Sequence, residues 1–135
     1  MNRPARLACM ARIGRLSVVA LDCRDPRALA TFYSAITGLE IEDGDDDWVQ
    51  LRSDGGAALA FQLAPDHEPP VWPSSEHPQQ AHLDFDVDDL DAAEVHVLAR
   101  GARKADVQPG STFRVFLDPA GHPFCLVLAP EQRDC

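Results

Sequence analysis

The chain runs twice through one pattern, and that repeat limits its fold more than any other feature. Leu16–Cys23 is a short, β-branched, apolar run that reads as a buried strand. Asp25-Pro26 then supplies a side-chain acceptor for an N-cap and a proline at the first helical position, where no amide donor is needed. Leu29, Phe32, Tyr33 and Ile36 follow at i, i+3, i+4 and i+7, the stripe of an amphipathic helix that Gly38 ends. The same order restarts at Ala81-His-Leu-Asp-Phe-Asp-Val87, which alternates strictly. Asp89 caps a second helix over Leu90–Arg100, and Gly101 ends it. At an offset of 64 residues Asp22 maps to Asp86, Asp25 to Asp89, Ala28 to Ala92 and Ala35 to Ala99, and after the helix Gly38 maps to Gly101 at 63. A single copy of strand, helix and three further strands encloses a core poorly. Two copies, paired, can do so.

The further strands are shorter. In the first copy they are expected at Leu39–Glu42, Trp48–Arg52 and Ala57–Leu63, with an acidic turn at 43–47 and a hairpin turn at Ser53-Asp-Gly-Gly56. In the second they are expected at Ala102–Val107, Thr112–Leu117 and Pro123–Ala129, with a turn at Asp118-Pro-Ala-Gly-His122. Between the copies, Ala64–Gln80 holds five prolines and no periodicity, as befits a loop covering a pocket. Trp72 lies in that loop with no strand around it. The organisation expected is a basic leader over residues 1–15, module one over 16–63, the loop over 64–80, module two over 81–130, and a tail over 131–135.

Charge narrows the function. Twenty-two acidic against twelve basic residues give a net charge of -10, the wrong sign for a general nucleic-acid binder. Arg3, Arg6, Arg12 and Arg15 all fall in the acid-free leader, so eight bases face twenty-two acids after it, or -14. The leader reads as a flexible extension or as an upstream start, with Met10 as the alternative initiator. No apolar run is long enough to span a membrane. Four cysteines, Cys9, Cys23, Cys125 and Cys135, show no C-x-x-C spacing; Cys23 and Cys125 read as core thiols, and a reducing cytoplasm is expected.

In this order and spacing, Asp25-Pro26 with Phe32-Tyr33 and Gly38-Leu39, then His82 before Val87-Asp-Asp-Leu90, and Asp118-Pro-Ala-Gly-His-Pro-Phe124 resemble the vicinal-oxygen-chelate superfamily. That superfamily includes glyoxalase I, extradiol dioxygenases and bleomycin-resistance proteins, and the look is nearest to glyoxalase-like proteins of actinobacteria. The resemblance implies an α+β fold: two tandem βαβββ modules form curved mixed sheets around a concave cavity, with the helices on the convex side.

Strand parity then sorts the side chains. Leu83, Phe85 and Val87 pack on the helix, which leaves His82, Asp84 and Asp86 on the other face. The first strand contributes Val18, Ala20 and Asp22 to that face; the third strand contributes Trp48, Gln50 and Arg52; Gln62 and Cys125 come from the fourth and eighth. The expected ligand-binding set is Trp48, Gln50, Arg52, Gln62, Trp72, His82, Asp84 and Cys125. Phe113 and Phe116 are further candidate aromatic walls. Carboxylates on that face favour cationic or polyhydroxy ligands over anions.

The resemblance also implies where a divalent metal is held in metal-dependent members: one ligand from each of the first, fourth, fifth and eighth strands. Those positions are Val18, Gln62, His82 and Cys125 here. Valine cannot ligate, and an amide, one imidazole and a thiol make a poor set for a hard ion. No cofactor is therefore expected; were a divalent metal present, His82, Gln62 and Cys125 are its candidates, with Asp84 as a possible third donor to a His82/Cys125 pair. The expectation is a homodimeric, metal-independent binder of a small organic molecule, with no nucleic-acid or membrane partner. The alternative is a lyase, isomerase or dioxygenase with His82 at the site as ligand or general base and Asp84 orienting it.

Overall fold

The computed structural model describes residues 12–130. The expected tail and most of the leader, with Cys9, Cys135 and Met10, lie outside those residues. In chain order the elements are β1 (Val18–Cys23), α1 (Pro26–Thr37), β2 (Trp48–Gln50), β3 (Ala58–Leu63), β4 (Leu83–Val87), α2 (Leu90–Ala99), β5 (Arg103–Lys104), β6 (Phe113–Leu117) and β7 (Pro123–Leu128). They form a three-stranded sheet ordered β1-β3-β2 and a four-stranded sheet ordered β4-β7-β6-β5. Each sheet is mixed. β1 pairs parallel with β3, as β4 does with β7, and the remaining pairs are antiparallel.

The repeat is preserved at the level of single hydrogen bonds. Asp25 accepts from the Ala28 amide and Asp89 from the Ala92 amide, both at 3.1 Å. Each carboxylate satisfies one of the amides that a helix start leaves unpaired. Gly38 closes α1 at φ 76°.

The helix-facing sides of the two sheets meet in one core. Leu29, Phe32 and Tyr33 of α1 join Val49, Leu51 and Phe61 from the first sheet with Phe116, Phe124 and Leu126 from the second. Tyr33 sits at the centre. Its ring stacks on Phe61 at 5.6 Å and on Phe85 at 5.7 Å, and meets Phe124 edge-on at 6.1 Å. Its hydroxyl donates to Asp118 Oδ2 at 2.6 Å across the two modules. Asp118 is 4% exposed and also accepts from the Ala120 and His122 amides at 2.8 and 3.0 Å, so one buried carboxylate fixes both the last turn and the module contact. Burial and the Asp118 charge push the Tyr33 hydroxyl well above its ordinary pKa.

Several expected boundaries shrink. The strand expected at Leu39–Glu42 is reduced to a single bridge, Ile41 to Leu51, flanked by bonds from Glu42 N to Gln50 O and from Arg52 N to Glu40 O. Ala102–Val107 contracts to the two residues of β5. His82 stands just outside β4, which starts at Leu83. These segments lie at sheet margins, where one side has no partner to extend the ladder.

Candidate functional site

Because both helix-facing sides turn into the shared core, the opposite face of each sheet is left free of helix. On the second sheet that face forms a cleft of about 360 Å³. Val115, Cys125 and Asp84 are successive partners across β6, β7 and β4, so alternation brings all three side chains to its floor. Phe113 and Val127, one pleat along, continue the same face. Pro109 and Pro123 close two sides, and Trp72 and Gln79 reach in from the proline-rich loop.

The polar end is a small constellation. His82 Nε2 lies 3.2 Å from Asp84 Oδ1, and both side chains remain open to solvent. Cys125 is buried; its thiol is pushed up to about 11 by desolvation first and then by the adjacent Asp84 charge. It is therefore a neutral thiol at ordinary pH. One imidazole nitrogen, one carboxylate oxygen and the sulfur all lie within 4.8 Å of one another.

Of the residues picked out in the sequence, the structure brings together His82, Asp84, Cys125 and Trp72. It does not bring Trp48, Gln50, Gln62 or Arg52 to them. Trp48 pairs with Gln62 on the outward face of the first sheet, the Trp48 indole donates to Gln50 Oε1 at 3.0 Å, and Arg52 makes a 3.5 Å ion pair with Glu40. Asp86 is exposed and does not line the cleft. Phe116, a candidate wall, is instead a core residue stacked on Phe124. Gln79 and Pro109 were not legible, because both lie in aperiodic segments; Val115 was, since it shares parity with Phe113.

The loop is itself anchored. His122 Nε2 lies 2.7 Å from the Asp22 carbonyl, the His67 ring lies 4.9 Å from the His122 ring, and Arg24 donates to the His67 carbonyl. Both imidazoles are half-buried, and desolvation followed by His122 lowers the His67 pKa. Gly121, at φ 93°, leaves room for Pro69, whose Cβ lies 2.4 Å from where a side chain would begin. A hollow of about 600 Å³ lies against this anchor, lined by Ala20, Asp22, His67, His77 and His122.

The metal set implied by the resemblance does not fit. Val18 has no donor, and Gln62 stands on the other sheet from His82 and Cys125. Among the described residues the atoms that do converge are those of His82, Asp84 and Cys125, so Asp84 replaces Gln62 as the third candidate donor.

Comparison with known families finds that the model of the glyoxalase-like domain matches residues 18–127. The chain belongs to the glyoxalase-like domain family. Solved glyoxalase-like structures share its fold. One is a glyoxalase/bleomycin resistance protein/dioxygenase family enzyme from Burkholderia phytofirmans PsJN, 23% identical over 84% of this chain and 97% of that one, with a TM-score of 0.63. A possible glyoxalase from Bacillus cereus is 14% identical over 86% and 99%, with a TM-score of 0.64. The bleomycin-binding protein of bleomycin-producing Streptomyces verticillus, solved with copper(II)-bleomycin, is 20% identical over 87% and 99%, with a TM-score of 0.53. No curated protein matches. Among the described residues of this glyoxalase-like chain, no helix is long and apolar enough to cross a membrane.

Proposed function

We propose that this glyoxalase-like protein binds a small organic molecule in the cleft on its second sheet, without the metal arrangement usual in the superfamily. The observation that carries this reading is the lining itself: a concave, mostly apolar wall with a few convergent polar atoms at one end, the ordinary make-up of a small-molecule site. A bound ligand should quench the fluorescence of Trp72. His82→Ala should weaken binding on the order of tenfold or more, as expected for loss of a direct polar contact, while His96→Ala on α2, outside the cleft, leaves it unchanged. Equal affinities in the two variants would place the ligand elsewhere.

A second reading is favoured by the convergence of His82, Asp84 and Cys125: a borderline divalent ion such as zinc, held by those three, in a lyase, isomerase or dioxygenase. The neutral thiol weighs against it, since ligation requires the thiolate and burial opposes ionisation. Elemental analysis separates the readings. The first expects far less than one metal per chain; the second expects one, lost in His82→Ala.

The protein acts as a homodimer in this proposal. The cleft is open to solvent, and the face of the first sheet that carries Trp48, Gln50 and Gln62, with Arg52 beyond the strand end, offers a second copy a polar and aromatic surface. A second copy laying that face over the cleft would reunite the two halves of the site and cover the edges that open sheets leave. Sedimentation near physiological ionic strength should give the dimer mass, and Trp48→Ala should shift it toward monomer; a monomer at all concentrations would end this part of the proposal. The free, buried Cys23 and Cys125 suit a reducing compartment such as the cytoplasm.

A further inference from the structure

Resting on the reading of the cleft as a small-molecule site, we propose that its ligand is a compact organic cation: a protonated amine on an apolar, aromatic-sized body. The argument starts from charge. Among the residues that line the cleft, Asp84 is the single carboxylate, and neither lysine nor arginine is present. Cys125, whose sulfur lies within 4.8 Å of the Asp84 carboxylate, adds no positive charge. The Asp84 side chain is held by His82 on one oxygen yet stays 57% exposed, so the carboxylate can still receive a donor from a ligand.

A second observation points the same way. Gln79 Oε1 is buried beside the cleft with no hydrogen-bond partner. An orphaned acceptor is relieved by an N–H or O–H donor and by nothing that offers only lone pairs, which sets a carboxylate or phosphate at a disadvantage. The rest of the wall, Trp72, Phe113, Val115 and Val127, rewards an apolar body, and Trp72 and Phe113 offer aromatic faces that attract a cation. A carboxylate or phosphate ligand would meet Asp84 with neither lysine nor arginine to offset it and with the one imidazole already turned to Asp84, and a polyhydroxy ligand would leave most of its hydroxyls against hydrocarbon.

The proposed dimer does not reverse this. The surface a second copy would bring includes Arg52, but Glu40 stands 3.5 Å from that guanidinium and cancels its charge. The chain's net charge of -10 adds a field that draws cations toward every face, which is why the test compares charges removed inside and outside the cleft.

Three probes share one skeleton and differ in charge: phenylpropylamine, phenylpropanol and phenylpropionate. They are titrated at neutral pH and physiological salt, followed by calorimetry and by amide shifts at Val115 and Val127. The amine is expected to bind at least about tenfold more tightly than the propionate, with the alcohol between them. Asp84→Asn should bring the amine to the level of the alcohol. Asp54→Asn, which removes one charge from the exposed hairpin turn, should leave the order intact. If the alcohol shifts the cleft residues but the amine binds no better, or if the preference survives Asp84→Asn, the cation assignment is overturned while the cleft stands as a binding site. If none of the three perturbs Val115 or Val127 at millimolar concentration, the assignment fails together with the reading it rests on.

Discussion

Replacing Tyr33 with alanine should destabilise the fold by about 3–5 kcal/mol, a large share of the 5–15 kcal/mol typical of a domain. Tyr33 is fully buried at the point where the two modules meet, against Phe61 from one sheet and Phe85 and Phe124 from the other. Its removal opens a cavity that backbone on both sides cannot easily close, because each side is pinned by its own sheet. It also strips the hydroxyl donor from Asp118, leaving a buried carboxylate with its two amide donors alone. Tyr33→Phe keeps the ring and deletes only that hydrogen bond, so it should cost about 1.5–3 kcal/mol, the range for bonds to a charged acceptor. Urea denaturation of both variants checks the ordering. A Tyr33→Ala protein within about 1 kcal/mol of the parent would mean the modules do not share one core.

Alkaline solution should unfold the protein through its buried thiols. Burial raises Cys23 and Cys125 from 9.0 to about 11 each. A group whose pKa is higher folded than unfolded gives stability that is complete below its unfolded value and lost as pH rises through its folded one. Each thiol should therefore cost up to roughly 2.7 kcal/mol between pH 9 and 11, at 1.36 kcal/mol per pKa unit. Tyr33, also shifted upward, adds to the loss above pH 10. The chain also carries Cys9 and Cys135, so the two buried thiols are read by comparison with their alanine variants. Stability measured from pH 8 to 11 should fall steeply, and Cys125→Ala should remove roughly half of the thiol-dependent slope. A flat profile across the window would show that neither thiol is desolvated on folding.

The legible part of the site followed from alternation. His82, Asp84 and Cys125 sit on the face opposite Leu83 and Phe85, as period-two geometry requires, and register then places Asp84 beside Cys125. Trp72 was legible for a different reason: a large aromatic in a proline-rich loop needs an apolar surface, and the cleft supplies one. Gln79 and Pro109 carried no such signal, since a loop's side chains are aimed by how the loop docks and not by any repeat. Asp118 also escaped notice. An aspartate before proline reads as a turn residue, and only the Tyr33 hydroxyl arriving from 85 residues away makes it a buried anchor.

The sequence by itself determined what lies close along the chain: two strand–helix units with matching caps, the faces of their strands, and the absence of a donor at Val18. The tertiary structure alone decided how the two units face each other. Either arrangement, polar faces toward one another or apolar faces merged, satisfies the same local pattern, because periodicity specifies a face and not its partner. The aromatic contacts of Tyr33 with both sheets settle it in favour of a merged core. Burying those rings together removes the most apolar surface from water, and it leaves Gln62 and Trp48 on the free face of one sheet and Asp84 and Cys125 on that of the other.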